Sequence, residues 1–443
     1  MFFNGLYLAA MLLASPWLVY RSWKTKRYRN GWSEKWLGKV PPLDIKIQQA
    51  NNLEPKVFWL HAVSVGEVQV LRTLIKSLLS EWPNAKIAIS TTTETGMELA
   101  KRSYSEHCVF YLPLDFTWAV RQTLSRIRPD WLVLAELEVW PNLIRLAKSS
   151  NCRIAVINGR LSENSFKGYC RISWLLRPSF RRLTFVGAQD KIYAHRFVSM
   201  GVAADQVHVT GSLKFDGANP DLAHPEIAKR REELAIPVDS LVWVAGSTQA
   251  PEEDLILQAF TKIRSQERFK RLRLILVPRH PERGDEISRK MDSTGFRTIQ
   301  RSKSLAMETF SDQTKSISDD WDILLADTIG ELRWWWGIAT IAFVGGSFGT
   351  RGGQNMIEPV AYGVPTSVGP NTRNFKDIMR ILREAIAIKV FESPDEIELW
   401  VMEMLDNVEL RTEFGKRGIE VACEHRGATE RTVRLLSLYQ KDV

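Results

Sequence analysis

The chain has 443 residues, 44% of them hydrophobic and 25% charged, a globular composition that excludes a disordered or collagen-like chain and suffices for two domains. Sixty Lys and Arg against 51 Asp and Glu leave a net charge of +9, which favours phosphate-bearing ligands or an anionic membrane surface. Four scattered cysteines and seven dispersed histidines make no C-x-x-C, H-E-x-x-H or other zinc spacing, so neither a disulfide framework nor a readable metal site is expected.

From Phe2 to Tyr20 the chain is apolar, broken only by Asn4, Gly5, Ser15 and Pro16. At a rise of about 1.5 Å per residue, such a run can cross a hydrocarbon core of roughly 30 Å. Arg21, Lys24, Lys26, Arg27 and Arg29 follow, with no acidic residue before Glu34, which puts the bulk of the chain on the cytoplasmic side. No basic stretch precedes the run, as it would in a cleaved signal peptide. Residues 1–22 therefore read as a membrane anchor, either spanning or lying in the interface; a helix packed on the soluble body is the plainer alternative.

After Pro55 short β-rich runs alternate with helical spacing. Val57–Val63, Lys86–Ser90, Val109–Leu114, Trp131–Ala135, Ile154–Ile157, Leu183–Val186 and Val207–Val209 form one series. Leu241–Ala245, Leu272–Val277, Ile323–Ala326, Thr340–Val344 and Pro365–Val368 form a second, and residues 211–237 make the best linker. This alternation predicts an α/β protein with two doubly wound parallel sheets facing a central cleft, and puts ligands beyond the carboxyl ends of the strands. The expected domains are an anchor over 1–22 and Rossmann-like domains over 23–217 and 218–443, the last helix able to cross back.

The loops after the strands hold the chemistry. In His61-Ala62-Val63-Ser64-Val65-Gly66-Glu67, Glu67 opens a helix, where a carboxylate can accept a proton and the helix terminus tends to keep it ionised. A merely stabilising first-turn Glu reads the same way. Glu136 and Glu138 at a strand end, i and i+2, do not share a helix face, so one can point to the cleft and the other elsewhere, or both belong to a solvated strand end. Lys214, in Gly211-Ser212-Leu213-Lys214-Phe215-Asp216, is placed to meet an anionic ligand, or is an ordinary linker lysine.

In the second half, Gly246-Ser247-Thr248 precedes Glu252, Glu253 and Asp254 and offers backbone N–H groups to an anion. Arg279 in Pro278-Arg279-His280-Pro281 can hold a phosphate through a bidentate contact. Trp334, Trp335 and Trp336 after Ile329-Gly330-Glu331 favour packing. The glycines at 345, 346, 352 and 353 let backbone approach a bulky ligand closely, and Asn355 and Glu358 share a helix face suited to a ribose diol. Neither a dinucleotide G-x-G-x-x-G nor a Walker loop is present.

Taken together these motifs resemble bacterial 3-deoxy-D-manno-octulosonic acid (Kdo) transferases, the lipid A glycosyltransferases. The resemblance rests on Gly31-Trp32-Ser33-Glu34, Ser64-Val65-Gly66-Glu67, Glu136 through Asn142, Gly211 through Asp216, Pro278-Arg279-His280-Pro281, Gly330-Glu331-Leu332 and Asn374-Phe375-Lys376-Asp377. It implies a GT-B fold and an inverting transfer of Kdo from CMP-Kdo to a lipid A precursor at the cytoplasmic face of the inner membrane. It further implies acceptor binding by the domain over 23–217 and CMP-sugar binding by the domain over 218–443. Glu67 matches the family's general base, and Glu136 and Lys214 match positions that stabilise the transition state. Pro278 and Arg279, Ile329, Gly330 and Glu331, and Asn355, Met356, Ile357 and Glu358 match its CMP-binding segments, with Ser247, Gly353 and Gln354 as donor-site support.

Gln354 and Gln249 depart from the family, which has His at both places, and a Gln does not titrate near neutral pH. The resemblance further implies no metal or other cofactor, and anionic membrane lipids but no nucleic acid as partners. A UDP-sugar transferase, a sugar-nucleotide epimerase or a tethered binding protein that kept the fold are the alternatives.

Overall fold

The computed structural model describes residues 3–9, 11, 12, 15, 31–43, 55–218, 220–304 and 321–441. The chain divides into two compact units, Met1–Gly217 with His425–Val443, and Ala218–Glu424.

In the first unit seven strands form one parallel sheet: β1 (Val57–His61), β2 (Lys86–Thr91), β3 (Cys108–Tyr111), β4 (Trp131–Ala135), β5 (Arg153–Gly159), β6 (Phe185–Ala188) and β7 (Val207–Val209). Their order is β3-β2-β1-β4-β5-β6-β7, so the winding reverses between β1 and β4. Every residue of β1 and β4 is buried, which is why both read as unbroken apolar runs rather than alternating ones. Helices cover both faces, and each face has its own apolar cluster, one around Trp59, Leu132 and Phe180, the other around Phe58, Leu74 and Trp131. The carboxyl-terminal helix Ala428–Lys441 completes the second cluster through Val433 and Leu436. It is tied down at its start by Asp216, whose carboxylate accepts from the N–H groups of Gly427 (2.7 Å) and Thr429 (2.6 Å).

The second unit repeats the plan with β8 (Val242–Thr248), β9 (Arg273–Pro278), β10 (Thr298–Gln300), β11 (Ile323–Leu325), β12 (Ile341–Val344), β13 (Thr366–Val368) and β14 (Lys389–Val390). The order β10-β11-β9-β8-β12-β13-β14 reverses between β8 and β12. β10 and β14 were not expected: both are short, partly exposed edge strands without an apolar run. Trp334, Trp335 and Trp336 are all buried in this unit, in packing roles.

The expected anchor falls largely outside the described residues. Those described between 3 and 15 are helical. Among the described residues no helix is long and apolar enough to cross a membrane.

Candidate functional site

Glu67 and Glu136 lie beyond β1 and β4, residues 246–248 end β8, and the glycine-rich loop lies beyond β12. These strands flank the reversal points, where open parallel sheets bind ligands. Lys214 follows β7, Arg279 follows β9 and residues 329–331 follow β11.

Beyond β1 the chain turns into the helix Val65–Glu81, with Ser64 as its cap. Glu67 closes a capping box: its two carboxylate oxygens accept from Ser64 Oγ (2.8 Å) and Val63 N (2.9 Å). The stabilising role and the catalytic candidacy therefore fall on the same side chain. The helix terminus, expected to keep it ionised, is not the only influence on it. Burial and then the charge of Glu136 push the Glu67 carboxyl above its ordinary range, only partly opposed by those hydrogen bonds.

Beyond β4 the two glutamates meet different partners. Glu136 takes a left-handed backbone conformation (φ 58°), uncommon for a residue with a side chain. It binds Lys214 Nζ at 3.1 Å through one oxygen and Arg160 at 3.5 Å through the other. Glu138 accepts from Trp140 Nε1 at 2.8 Å and lies 3.9 Å from His61 Nε2. Burial first, then the charges of Glu67 and Glu136, lift the Glu138 carboxyl to about 7. Three carboxylates thus share one electrostatic neighbourhood.

Lys214 sits in the short 3₁₀ turn Leu213–Gly217, and its partner here is Glu136. His61, fully buried at the end of β1, holds Ser90 Oγ at 2.9 Å through Nδ1, and burial lowers its pKa to about 4. A neutral His61 thus lies beside Glu138, whose carboxyl is about half protonated at pH 7. The sequence segment contains His61 but gives no sign of this role, since Ser90 and Glu138 reach it from two neighbouring strands.

In the second unit the glycine-rich loop after β12 is organised from within. Glu252, buried at the start of the helix Glu252–Arg264, accepts from the backbone N–H groups of Gly346 (2.7 Å), Ser347 (2.8 Å), Phe348 (2.9 Å) and Gln249 (3.0 Å). The chain's own carboxylate thus occupies these four donors. The close approach at Gly345 is likewise internal, since a Cβ there would come 2.6 Å from Ser247 O. Gln249 and Gln354 converge over Gly346, where an added Cβ would lie 3.1 Å from Gln354 Cγ and 3.5 Å from Gln249 Nε2. Gln249 Nε2 is buried and has no hydrogen-bond partner among the described residues.

Around this loop, Pro278 ends β9 in the core, and Arg279 donates its backbone N–H to Thr248 while its side chain is exposed. Ser247 is buried with φ 56°, and Gly353 is buried with φ 88°. Asn355 donates to Glu358 at 3.0 Å, so the two share a face as the spacing predicts, and burial raises the Glu358 carboxyl. Met356 and Ile357 are buried, which leaves only their backbone to meet a ligand. Ile329 is exposed, and Gly330 (φ 87°) has open space where a side chain would be. Glu331 accepts from Arg230 at 2.7 Å and from Thr328, with Arg301 at 3.6 Å. Its carboxylate thus fastens the turn, and the turn's backbone faces outward. Neither Arg230 nor Arg301 was singled out in the sequence, because both lie far from Glu331 along the chain.

The two doubly wound units have a GT-B-like fold. A UDP-GlcNAc 2-epimerase from Neisseria meningitidis solved with UDP-GlcNAc matches at a TM-score of 0.51 and 13% identity, covering 86% of this chain and 99% of that one. The glycotransferase of kitacinnamycin matches at 0.50 and 12%, covering 87% and 99%. At such identities the likeness is one of fold.

Sequence carries the assignment further. Residues 30–217 match the family model described as 3-deoxy-D-manno-octulosonic-acid transferase (kdotransferase). A 3-deoxy-D-manno-octulosonic acid transferase from Haemophilus influenzae is 31% identical over 99% of this chain and 98% of its own length. One from Bordetella pertussis is 31% identical over 85% and 86%. The solved C-terminal CMP-Kdo binding domain of WaaA from Acinetobacter baumannii is 29% identical over 44% of this chain and 96% of that domain, with a TM-score of 0.39. The chain belongs to the Kdo transferase family: it is a glycosyltransferase of lipopolysaccharide biosynthesis.

Proposed function

We propose that the chain transfers Kdo from CMP-Kdo to a lipid A precursor with inversion, and that Glu67 is the general base. The observation that carries this reading is the Glu67–Glu136–Glu138 cluster beyond β1 and β4, because a carboxyl raised by burial and by like charge is the form of Glu suited to taking a proton near neutral pH.

Glu67 removes the proton from the primary hydroxyl of the acceptor's glucosamine disaccharide. The hydroxyl oxygen bonds to the anomeric C2 of Kdo as the bond from C2 to the phosphate oxygen breaks, and CMP leaves with that electron pair. Lys214, held by Glu136, supplies positive charge for the donor's carboxylate or phosphate. Arg279, the backbone of the Ile329–Gly330 turn, and Asn355 with Glu358 bind the CMP moiety, with Ser247, Gly353 and Gln354 supporting the donor. No metal or other cofactor enters this scheme.

The apolar amino-terminal segment holds the enzyme at the cytoplasmic face of the inner membrane, where its acceptor resides. The basic residues after Tyr20 favour an anionic leaflet.

Mass spectrometry of the product made from CMP-Kdo and a tetraacyl lipid A precursor tests the reaction. A precursor enlarged by one or more Kdo units is expected, and an unaltered precursor overturns it. Glu67→Gln tests the base: CMP affinity should persist while turnover falls by about 10²–10⁴.

A further inference from the structure

Asn142 closes the Glu136–Asn142 motif, and the scheme above gives it no part. It is buried, and its bonds lead to the amino terminus. Its side-chain amide donates to Asn4 Oδ1 (3.2 Å) and to Asp115 O (2.6 Å), and its backbone N–H donates to Asp115 Oδ2 (2.9 Å). Asn4 in turn donates to Thr117 Oγ1 (2.8 Å) and accepts from Thr117 N (3.2 Å). One turn further on, Tyr7 donates to Asp115 Oδ2 (2.9 Å) and meets the Phe116 ring edge-on at 6.1 Å. Asn4 and Tyr7, in the apolar run, are thus paired with Asp115, Thr117 and Asn142 on the body.

The chain returns to the same place. Trp36 stacks on Phe116 at 5.5 Å, and Trp118 Nε1 donates to Trp36 O at 2.9 Å. Glu34, from the Gly31-Trp32-Ser33-Glu34 motif, accepts from Tyr111 N at 2.7 Å. Tyr7 and Trp36 therefore both rest on Phe116. With Tyr7 fixed at the body, the remaining apolar residues 8–20 would reach only about 20 Å as a helix, short of a core of about 30 Å. A helix that crossed the bilayer would instead carry Asn4 and Tyr7 to the far side.

We propose that Asn4 and Tyr7 are latch residues, received by Asp115, Thr117 and Asn142, that hold the amino terminus on the body's own side of the membrane, so that this face lies along a phospholipid surface without crossing it. The proposal rests on the membrane reading given above. Leu6, Leu8 and Leu12 point away from the latch and are exposed, and Trp32, Leu37 and Trp118 add exposed apolar and aromatic surface from the neighbouring elements. That composition suits the headgroup–acyl boundary, and the basic stretch between Tyr20 and Gly31 complements anionic headgroups. By the same bonds the start of the helix Pro141–Ser149, which directly follows Glu136 and Glu138, is fastened to the membrane-facing segment.

The test uses the full chain with an epitope tag before Met1, in intact spheroplasts and in inverted inner-membrane vesicles. The tag should be cut by added protease only in the inverted vesicles; cutting in intact spheroplasts overturns the proposal. In the membrane-bound protein carrying Asn4→Cys and Thr117→Cys, oxidation should yield a peptide pair joined between positions 4 and 117. Its absence from the membrane fraction likewise overturns the latch. Fractionation separates the two readings: a chain missing from the membranes defeats both, whereas a membrane-bound chain with an outward tag defeats the latch alone.

Discussion

Lys214 Nζ lies 3.1 Å from Glu136 Oε1, while the hydrogen bond to Glu138, two residues on, comes from the neutral indole of Trp140. One carboxylate of the cluster is offset by cations and the other is not. The charge of Glu136 nevertheless reaches Glu67 and raises its carboxyl. A base with a raised pKa loses activity as pH falls through that value, so removing the neighbouring charge should move the loss to lower pH. In Glu136→Gln the acid limb of kcat/KM should therefore shift to lower pH, whatever happens to the plateau. A pH–rate profile of both enzymes checks this, and an unmoved or upward-shifted limb contradicts the coupling.

Glu138 offers a stability test. Its carboxyl is raised from 4.5 to about 7, so the folded state prefers it protonated. A group raised in this way contributes stability that is fully present below its unfolded pKa and lost as pH rises through about 7. Gln imitates the protonated form and can still accept from Trp140. The Tm of Glu138→Gln relative to wild type should therefore be more favourable at pH 8.5 than at pH 5.5. Thermal denaturation at the two pH values measures it, and an equal difference at both would show that Glu138 is not raised.

The sheets were legible because their strands are buried on both faces, so β1, β4 and β8 appear as plain apolar runs. β10 and β14 carry no such run, being short edges. Glu67, Glu136 and Lys214 stood out by motif, yet their relation did not. Glu67 and Glu136 feel each other's charge because β1 and β4 are neighbours across the reversal point, a pairing about 70 residues apart (Phe58 with Trp131) that spacing along the chain cannot reveal. Glu252 shows the limit most clearly. In sequence it is one of three acidic residues opening a helix; only the fold brings Gly346, 94 residues away, onto its carboxylate. The same holds for Asn4 and Asn142, 138 apart.

Glu252 should be indispensable to the second unit without touching a ligand. Glu252→Ala leaves four backbone N–H groups without their acceptor, three of them in the loop that precedes Gln354 and Asn355. Removing a buried charged partner typically costs about 3–5 kcal/mol, which for a unit of this size lowers Tm by roughly 10 °C. CMP affinity should fall with it, because the loop loses its fixed shape. Calorimetry of thermal unfolding and of CMP binding reads both. A variant with wild-type Tm would mean that the loop does not depend on Glu252.

Gln249 and Gln354 meet over Gly346, so a titratable group placed there should be felt by the donor. Two amides cannot change charge between pH 5.5 and 8, whereas a histidine with a pKa near 6.5 can. Gln354→His should therefore add a pH dependence that the native chain lacks. As pH falls through about 6.5 the imidazole becomes cationic and the affinity for the anionic CMP-Kdo should rise relative to wild type at the same pH. The comparison at each pH cancels the titration of the ligand itself. Binding of CMP-Kdo measured by calorimetry from pH 5.5 to 8 for both proteins supplies the ratio. If that ratio stays flat across the range, position 354 does not face the donor, and the donor-supporting role proposed for this loop is lost.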